Sequence, residues 1–181
     1  MLKKILLGVA ALLVVFLIVA AFQPKDFRVE RSVSISAPAP KIFSQVNDLH
    51  RFQVWNPWGK IDPAMKTSFE GPPAGTGASY FWSGNKEVGE GRMTIVESRP
   101  SELVKIKLEF LKPFAATHTA DFTLAPRGNG TTITWAMYGE KNYMAKVMCL
   151  VMSMDKMVGP DFERGLASLK ALAEKDEAPR S

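Results

Sequence analysis

Acid–base chemistry near neutral pH has two candidate side chains in this sequence, His50 and His118. They lie far apart along the chain and share no partner at metal-ligand spacing, so a zinc centre is not predicted. His118 lies on a predicted strand with alternating apolar and polar residues, on the same inward-facing side as Phe122. A general acid or base beside an apolar pocket would have this position. A neutral histidine in the core would have it too, and the pattern favours this second interpretation.

Other signatures of catalysis are missing from the sequence. The glycine-rich run at residues 71–77 lacks the Gly-Lys-Ser/Thr ending of a phosphate-binding loop, and no serine stands in a Gly-x-Ser-x-Gly elbow. The single cysteine, Cys149, excludes an internal disulfide framework and a zinc site built on several thiolates. We therefore predict no cofactor, no metal ion and no catalytic residue.

Four tryptophans in a small domain indicate a pocket for a hydrophobic ligand. Trp55 and Trp58 belong to an irregular Trp-Asn-Pro-Trp segment, where burial in the core is less expected than for a tryptophan on a strand. Trp82 and Trp135 lie on predicted strands. The alternative is that the tryptophans cap the core beneath the loops, and the sequence leaves both interpretations open.

Composition and charge narrow the class of protein. Hydrophobic residues make up 46% of the 181 residues, an ordinary globular balance that excludes bulk disorder. The net charge is +5, and Lys3 and Lys4 supply two of these charges ahead of the domain. The remaining positive charge is small and scattered, so nucleic acid is not an expected partner.

Residues 5–22 carry no charge and form the candidate membrane segment. As a helix this segment would span roughly 27 Å, close to the thickness of the hydrocarbon core of a bilayer. A cleaved signal peptide is the alternative, with Val19-Ala20-Ala21 as its cleavage site, although its apolar region would be unusually long. We predict a single-pass anchor with Lys3 and Lys4 in the cytoplasm and the domain on the extracytoplasmic side.

Alternation of apolar and polar residues predicts an antiparallel meander beyond the apolar segment. In the clearest strand, Val104, Ile106, Leu108 and Phe110 face one way, while lysine and glutamate side chains face the other. The other predicted strands cover Phe27–Ile35, Ser68–Glu70, Ala78–Ser83, Val88–Glu97, Ala116–Leu124 and a run through Ile133, Trp135 and Met137.

Helical spacing replaces the alternation in three places. Short helical segments are predicted after Pro40 and from Asn47-Asp48, and a longer helical region begins beyond Gly139. Gly159-Pro160 should kink or split this region. A methionine cluster could be an adaptable apolar lining, ordinary helix packing or a face lying on the bilayer. Its members are Met137, Met144, Met148, Met152, Met154 and Met157.

The order of strand, two short helices, long meander and C-terminal helix resembles the START-like, helix-grip (SRPBCC) superfamily. Within it the chain is most similar to the bacterial polyketide cyclase/dehydrase and lipid-transport group. The likeness covers about residues 26–175 and rests on Phe27–Ala37 followed by Pro40-Lys-Ile-Phe, Trp55-Asn-Pro-Trp58, Gly75-Thr-Gly-Ala-Ser-Tyr-Phe-Trp82, Gly89-Glu-Gly-Arg-Met-Thr-Ile95 and Asp161–Lys170. It implies an α+β fold in which a curved antiparallel sheet grips a long C-terminal helix, with a cavity between them.

We therefore predict a membrane anchor, or signal peptide, at residues 1–24, a helix-grip domain at 25–176 and a disordered tail at 177–181. The expected function is binding or transport of a hydrophobic small molecule or lipid, without covalent chemistry. The alternatives are a cyclase/dehydrase-like enzyme that uses acid–base groups of the cavity and a structural membrane protein without a ligand. The predicted ligand-binding residues are Trp55, Trp58, Trp82, Met93, Phe110, His118, Trp135, Phe162 and Leu166.

Overall fold

Seven antiparallel strands form one curved sheet that packs around a long C-terminal helix in the computed structural model, which describes residues 1–175. The strands are β1 (Asp26–Ile35), β2 (Lys66–Glu70), β3 (Ser79–Ser83), β4 (Glu90–Arg99), β5 (Leu103–Lys112), β6 (Ala116–Arg127) and β7 (Gly130–Glu140). The helices are α1 (Leu2–Ala21), α2 (Ala39–Val46), α3 (Leu49–Trp55), α4 (Trp58–Ile61), α5 (Tyr143–Cys149) and α6 (Met154–Lys175). The helix-grip fold expected from the sequence is confirmed. The predicted tail at 177–181 lies outside the described residues.

Strand order follows the chain from β2 to β7, and β1 then closes the far edge beside β7. In this pairing Asp26 lies opposite Glu140 and Ile35 lies opposite Thr131. Hairpins connect the neighbouring strands from β3 to β7, so most of the sheet forms from pairs that are close in sequence.

The concave face of the sheet carries the residues of inward parity. Val104, Ile106 and Leu108 of β5 are buried, as are the inward residues of β6 from His118 to Leu124. This confirms the predicted register of both strands. Phe110, at the end of β5, is only partly buried.

The C-terminal helical region divides at a different place from the one the sequence predicts. The break lies at residues 150–153, between α5 and α6, and α6 continues through Pro160. Arg31 of β1 contacts the helix on either side of the proline, where its guanidinium binds Asp155 at 2.8 Å and Glu163 at 2.6 Å. These two hydrogen bonds connect the helix to the sheet on both sides of Pro160, which has no N–H to donate to the main chain.

The apolar N-terminal segment is the 20-residue helix α1, whose side chains are exposed apart from Ala20 and the partly covered turn around it. By length and composition α1 could cross a membrane, and a signal sequence would have the same features. The finding supports an apolar N-terminal helix and leaves its orientation as a prediction.

Candidate ligand cavity

A cavity of about 140 Å³ lies between the concave face of the sheet and the first turns of α6. Sheet residues from β3 to β7 form its floor, and Val158, Asp161 and Phe162 of α6 cover it. Residues from α3, α4 and the loops beside them close the remaining side, among them Phe52, Trp58 and Met65.

Six of the nine predicted site residues line this cavity. Trp82, Met93, Phe110 and Trp135 belong to the sheet, Phe162 to α6, and Trp58 to the first turn of α4. The indole of Trp135 stacks on the ring of Phe162, with centroids 4.1 Å apart and planes within 7° of parallel. The inward strand parity therefore brings together Trp82 and Trp135, which are 53 positions apart in the sequence.

Trp55, one of the predicted ligand-binding residues, lies in the core and not in the cavity lining. It is 2% exposed, and its ring meets the edges of Phe52 and Trp135 at 4.8 and 5.8 Å. The indole Nε1 donates a hydrogen bond to the Gln45 carbonyl oxygen at 3.1 Å, which satisfies its one polar group. Leu166, one turn after Phe162, is also buried in the core rather than in the cavity lining.

His118 is buried beside the cavity rather than in its lining. The ring of Phe27 lies nearly perpendicular to the imidazole with centroids 4.8 Å apart, and the ring of Phe110, which lines the cavity, has its centroid 6.0 Å from the imidazole. Burial lowers the pKa of His118 below its ordinary value of 6.5, although a backbone hydrogen bond to Thr117 raises it in part. Nδ1 has no hydrogen-bond partner among residues 1–175. At neutral pH the ring is therefore neutral, and it is not part of the cavity lining.

Two glycines give the aromatic walls their positions. A Cβ at Gly91 would lie 2.3 Å from the Trp82 indole, so the glycine lets this ring lie flat against β4. The Trp82 Nε1 then donates to the Val88 carbonyl oxygen at 3.3 Å. On the opposite wall, a Cβ at Gly165 would lie 2.7 Å from Trp135, so this glycine allows α6 to approach the sheet closely.

Polar groups reach the cavity at three positions, Asn56, Tyr80 and Asp161. The amide of Asn56 is already satisfied, because it donates to the Gln53 carbonyl and accepts from the Gly59 N–H, both at 3.0 Å. Asp161 pairs with Arg164. Burial raises the pKa of Tyr80 to about 12, so its hydroxyl stays protonated and is available as a hydrogen-bond donor.

Titratable chemistry is therefore sparse in this cavity. The described lining contains no histidine or cysteine, and among residues 1–175 no group of three or more His, Cys, Asp or Glu is placed to hold a metal ion. An apolar space with a few polar atoms orients and holds a hydrophobic ligand.

Comparison with known proteins identifies the family. The family model described as polyketide cyclase/dehydrase and lipid transport matches residues 26–174. The chain belongs to this family. No curated protein matches the chain.

Solved structures share the fold of this family member at low sequence identity. Protein CV1439 from Chromobacterium violaceum is 19% identical with a TM-score of 0.56, over 84% of this chain and 100% of its own. Major latex-like protein 151 from Panax ginseng is 11% identical with a TM-score of 0.59, over 83% and 99%. The di-domain ARO/CYC StfQ from the steffimycin biosynthetic pathway is 12% identical with a TM-score of 0.62, over 84% of this chain and 52% of its own. At these identities the likeness concerns the fold alone.

Sequence reasoning missed several residues that line the cavity in this family member. Tyr80 carries a usable signal, since it lies two positions before Trp82 on one strand and therefore shares its face. Phe52 has the helical spacing of a core residue. Met65 lies in a loop, where no periodicity indicates which way a side chain faces, and Val88, which we predicted to begin a strand, lies in the turn before β4.

Proposed function

We propose that this protein binds a hydrophobic small molecule or lipid in the cavity beneath α6, without covalent chemistry, while α1 tethers it to a membrane. The observation that carries the proposal is the chemistry of the lining, which is aromatic and aliphatic apart from Asn56, Tyr80 and Asp161. The family description, which names lipid transport beside cyclase and dehydrase activity, supports it.

Cavity size limits what fits without rearrangement. At about 140 Å³, the space is close to the roughly 150 Å³ apolar cavity known to hold one benzene ring. One ring or a short length of acyl chain fits the space, whereas a complete lipid requires α6 or the α4 loop to move outwards. Met65, Met93 and Met137 in the lining are unbranched and can repack around ligands of different shape.

An acid–base enzyme is the weaker candidate. A catalytic group must come within hydrogen-bond reach of the substrate. His118 is not part of the cavity lining, and Asp161 is engaged with Arg164. The hydroxyl of Tyr80 could still donate a hydrogen bond to a substrate. Its raised pKa suits hydrogen bonding to a ligand better than proton transfer at neutral pH.

Quenching by iodobenzene tests the cavity directly, because Trp58, Trp82 and Trp135 line it and a bound heavy atom quenches indole emission. We expect saturable quenching in the full-length protein. Ala120→Trp fills the cavity floor and should weaken binding at least about tenfold, a change of about 1.4 kcal/mol. Ala125→Trp is the matched control, since Ala125 lies on the exposed face of the same strand.

Retention of full affinity in Ala120→Trp would contradict the proposed cavity. His118→Ala should leave the affinity nearly unchanged, because His118 lies outside the lining. Mass spectrometry of an organic extract of the purified protein then identifies the ligand class. A co-purified lipid or hydrophobic metabolite supports the carrier, whereas no saturable quenching and no extracted compound would leave the cavity as part of a packed core.

A further inference from the structure

Helix α5 and the turn after it expose a run of large apolar side chains next to the end of α1. Tyr143, Met144 and Met148 on α5 are exposed, and the turn adds Val151, which is 81% exposed, and Met152. Exposure of so many neighbouring apolar side chains is unusual on the water-facing surface of a domain.

Two hydrogen bonds join α5 to the last turns of α1. The Tyr143 hydroxyl donates to the Leu17 carbonyl oxygen at 2.9 Å, and the Lys146 Nζ donates to the Ala21 carbonyl oxygen at 3.2 Å. Ala20, on the same turn of α1, is completely buried. The ammonium group of Lys146 also lies where the negative end of the α1 dipole favours a cation. The exposed apolar run is therefore continuous with the end of the apolar helix.

If α1 crosses a bilayer, its last turn lies at the level of the lipid headgroups. Tyrosine and lysine are the residues that concentrate at this level, with the ring or the methylene stem in the apolar layer and the polar end in water. Methionine and valine side chains beside them would be exposed to acyl chains rather than to water. The residue types of α5 thus match the layer in which α1 would place them.

We propose that residues 143–152 form a second membrane contact, in which Met144, Met148, Val151 and Met152 insert into the interface of the bilayer that α1 crosses. The inference rests on the proposed function in one respect, that α1 stays in the membrane. It adds a fixed orientation of the domain, because a helix lying on the surface and a spanning helix together constrain how the domain is held.

The orientation matters for the cavity. β1 begins at Asp26, shortly after α1. Antiparallel pairing places the Glu140 end of β7 and the Ala116 end of β6 at the same end of the sheet as Asp26. The Phe110 end of β5 pairs with Ala116, and the lining residues run from the middle of the sheet toward this end, so the cavity extends into the half of the sheet nearer to α1. With residues 143–152 in the interface, that half faces the bilayer, from which a hydrophobic ligand can enter without crossing water.

The single cysteine makes a site-specific test possible. In a Cys149→Ser background, Val151→Cys and Met152→Cys each carry an NBD fluorophore, and the full-length protein is reconstituted into phosphatidylcholine vesicles. A fraction of the lipid carries a nitroxide at a shallow acyl position. Asn129→Cys is the matched control, since Asn129 is exposed in the β6–β7 turn at the other end of the 11-residue strand β7.

We expect the nitroxide to reduce NBD emission at positions 151 and 152 by roughly two-fold or more, as for a helix buried about 5–10 Å into the interface. Emission at position 129 should not change.

Equal emission at all three positions, in vesicles that retain the protein after a carbonate wash, would overturn the second membrane contact and leave the proposed function intact. Blue-shifted but unquenched emission at position 151 would also overturn it and indicate that the fluorophore is buried against protein, in this chain or in a second copy. Release of the protein by the carbonate wash would contradict both the α1 anchor and the second membrane contact. The iodobenzene experiment would still test ligand binding in the cavity separately.

Discussion

Phe162 of α6 and Trp135 of β7 stack almost parallel, with ring centroids 4.1 Å apart. Both residues are nearly fully buried, and both line the cavity. One contact therefore fixes the helix to the sheet and forms a wall of the ligand space, so changes at this pair affect stability and binding together.

Phe162→Ala should destabilise the domain by about 3–5 kcal/mol, because it removes a buried aromatic ring and enlarges the cavity that this ring borders. Unfolding of the full-length protein by urea, followed by tryptophan fluorescence, measures the change. Phe114→Ala is the matched control, since Phe114 is exposed and its loss should cost no more than about 0.5 kcal/mol. Equal midpoints for the two variants would show that the stack does not hold α6 in place.

Gly165→Ala should also destabilise the domain, although alanine favours a helix over glycine by about 1 kcal/mol. The new Cβ would lie 2.7 Å from the Trp135 ring and 3.3 Å from the Pro57 Cδ, and neither ring can yield easily. Overpacking of this kind costs about 1–3 kcal/mol, so a net loss is expected. Gly8→Ala in α1, where nothing lies within 4 Å, controls for the helix preference. A midpoint for Gly165→Ala at or above the wild-type value would mean that α6 can move away from the sheet.

Strand parity was predictable from the sequence because it depends on a local period of two and on burial of one face. This is why Trp82, Met93 and Trp135 were placed correctly on the concave face. The place of Trp55 was not predictable in the same way. Its Nε1 bonds to the Gln45 carbonyl ten residues earlier, and no periodicity in the Trp-Asn-Pro-Trp segment encodes that contact.

The continuity of α6 through Pro160 has a similar explanation. Local chemistry predicts a break at proline, but Arg31 lies more than 120 residues earlier and binds the helix on both sides of it. Long-range ion pairs of this kind leave no pattern near the proline. His118 illustrates the same limit, since its inward-facing side of the strand was predicted correctly, while the neighbouring part of the cavity lining is formed by Phe110 and not by His118.

Two residues on opposite faces of β5 provide a direct test of the register. Leu108→Ala should cost about 2–5 kcal/mol, because Leu108 is buried on the concave face. Lys107→Ala should stay within about 0.5 kcal/mol, since its side chain lies on the other face and is 49% exposed, with a surface ion pair to Glu109. Urea unfolding of both variants measures the difference. A larger loss of stability for Lys107→Ala than for Leu108→Ala would indicate that the true register differs by one residue. The side chains that we assign to the cavity would then lie on the opposite face of the sheet.

The buried imidazole of His118 should make stability depend on pH between about 7 and 5. Burial lowers the pKa of His118 in the folded state below 6.5, so the unfolded chain binds more protons than the folded one as the pH falls. Stability contributed by the neutral ring is complete above the unfolded pKa and declines below it, by at most about 1.4 kcal/mol per pH unit until the folded pKa is reached. Urea midpoints at pH 7, 6 and 5 should therefore decrease for the wild type and decrease less for His118→Gln. Equal slopes in the two proteins would mean that His118 can take up a proton in the folded state, and the case for a neutral buried histidine would then fail.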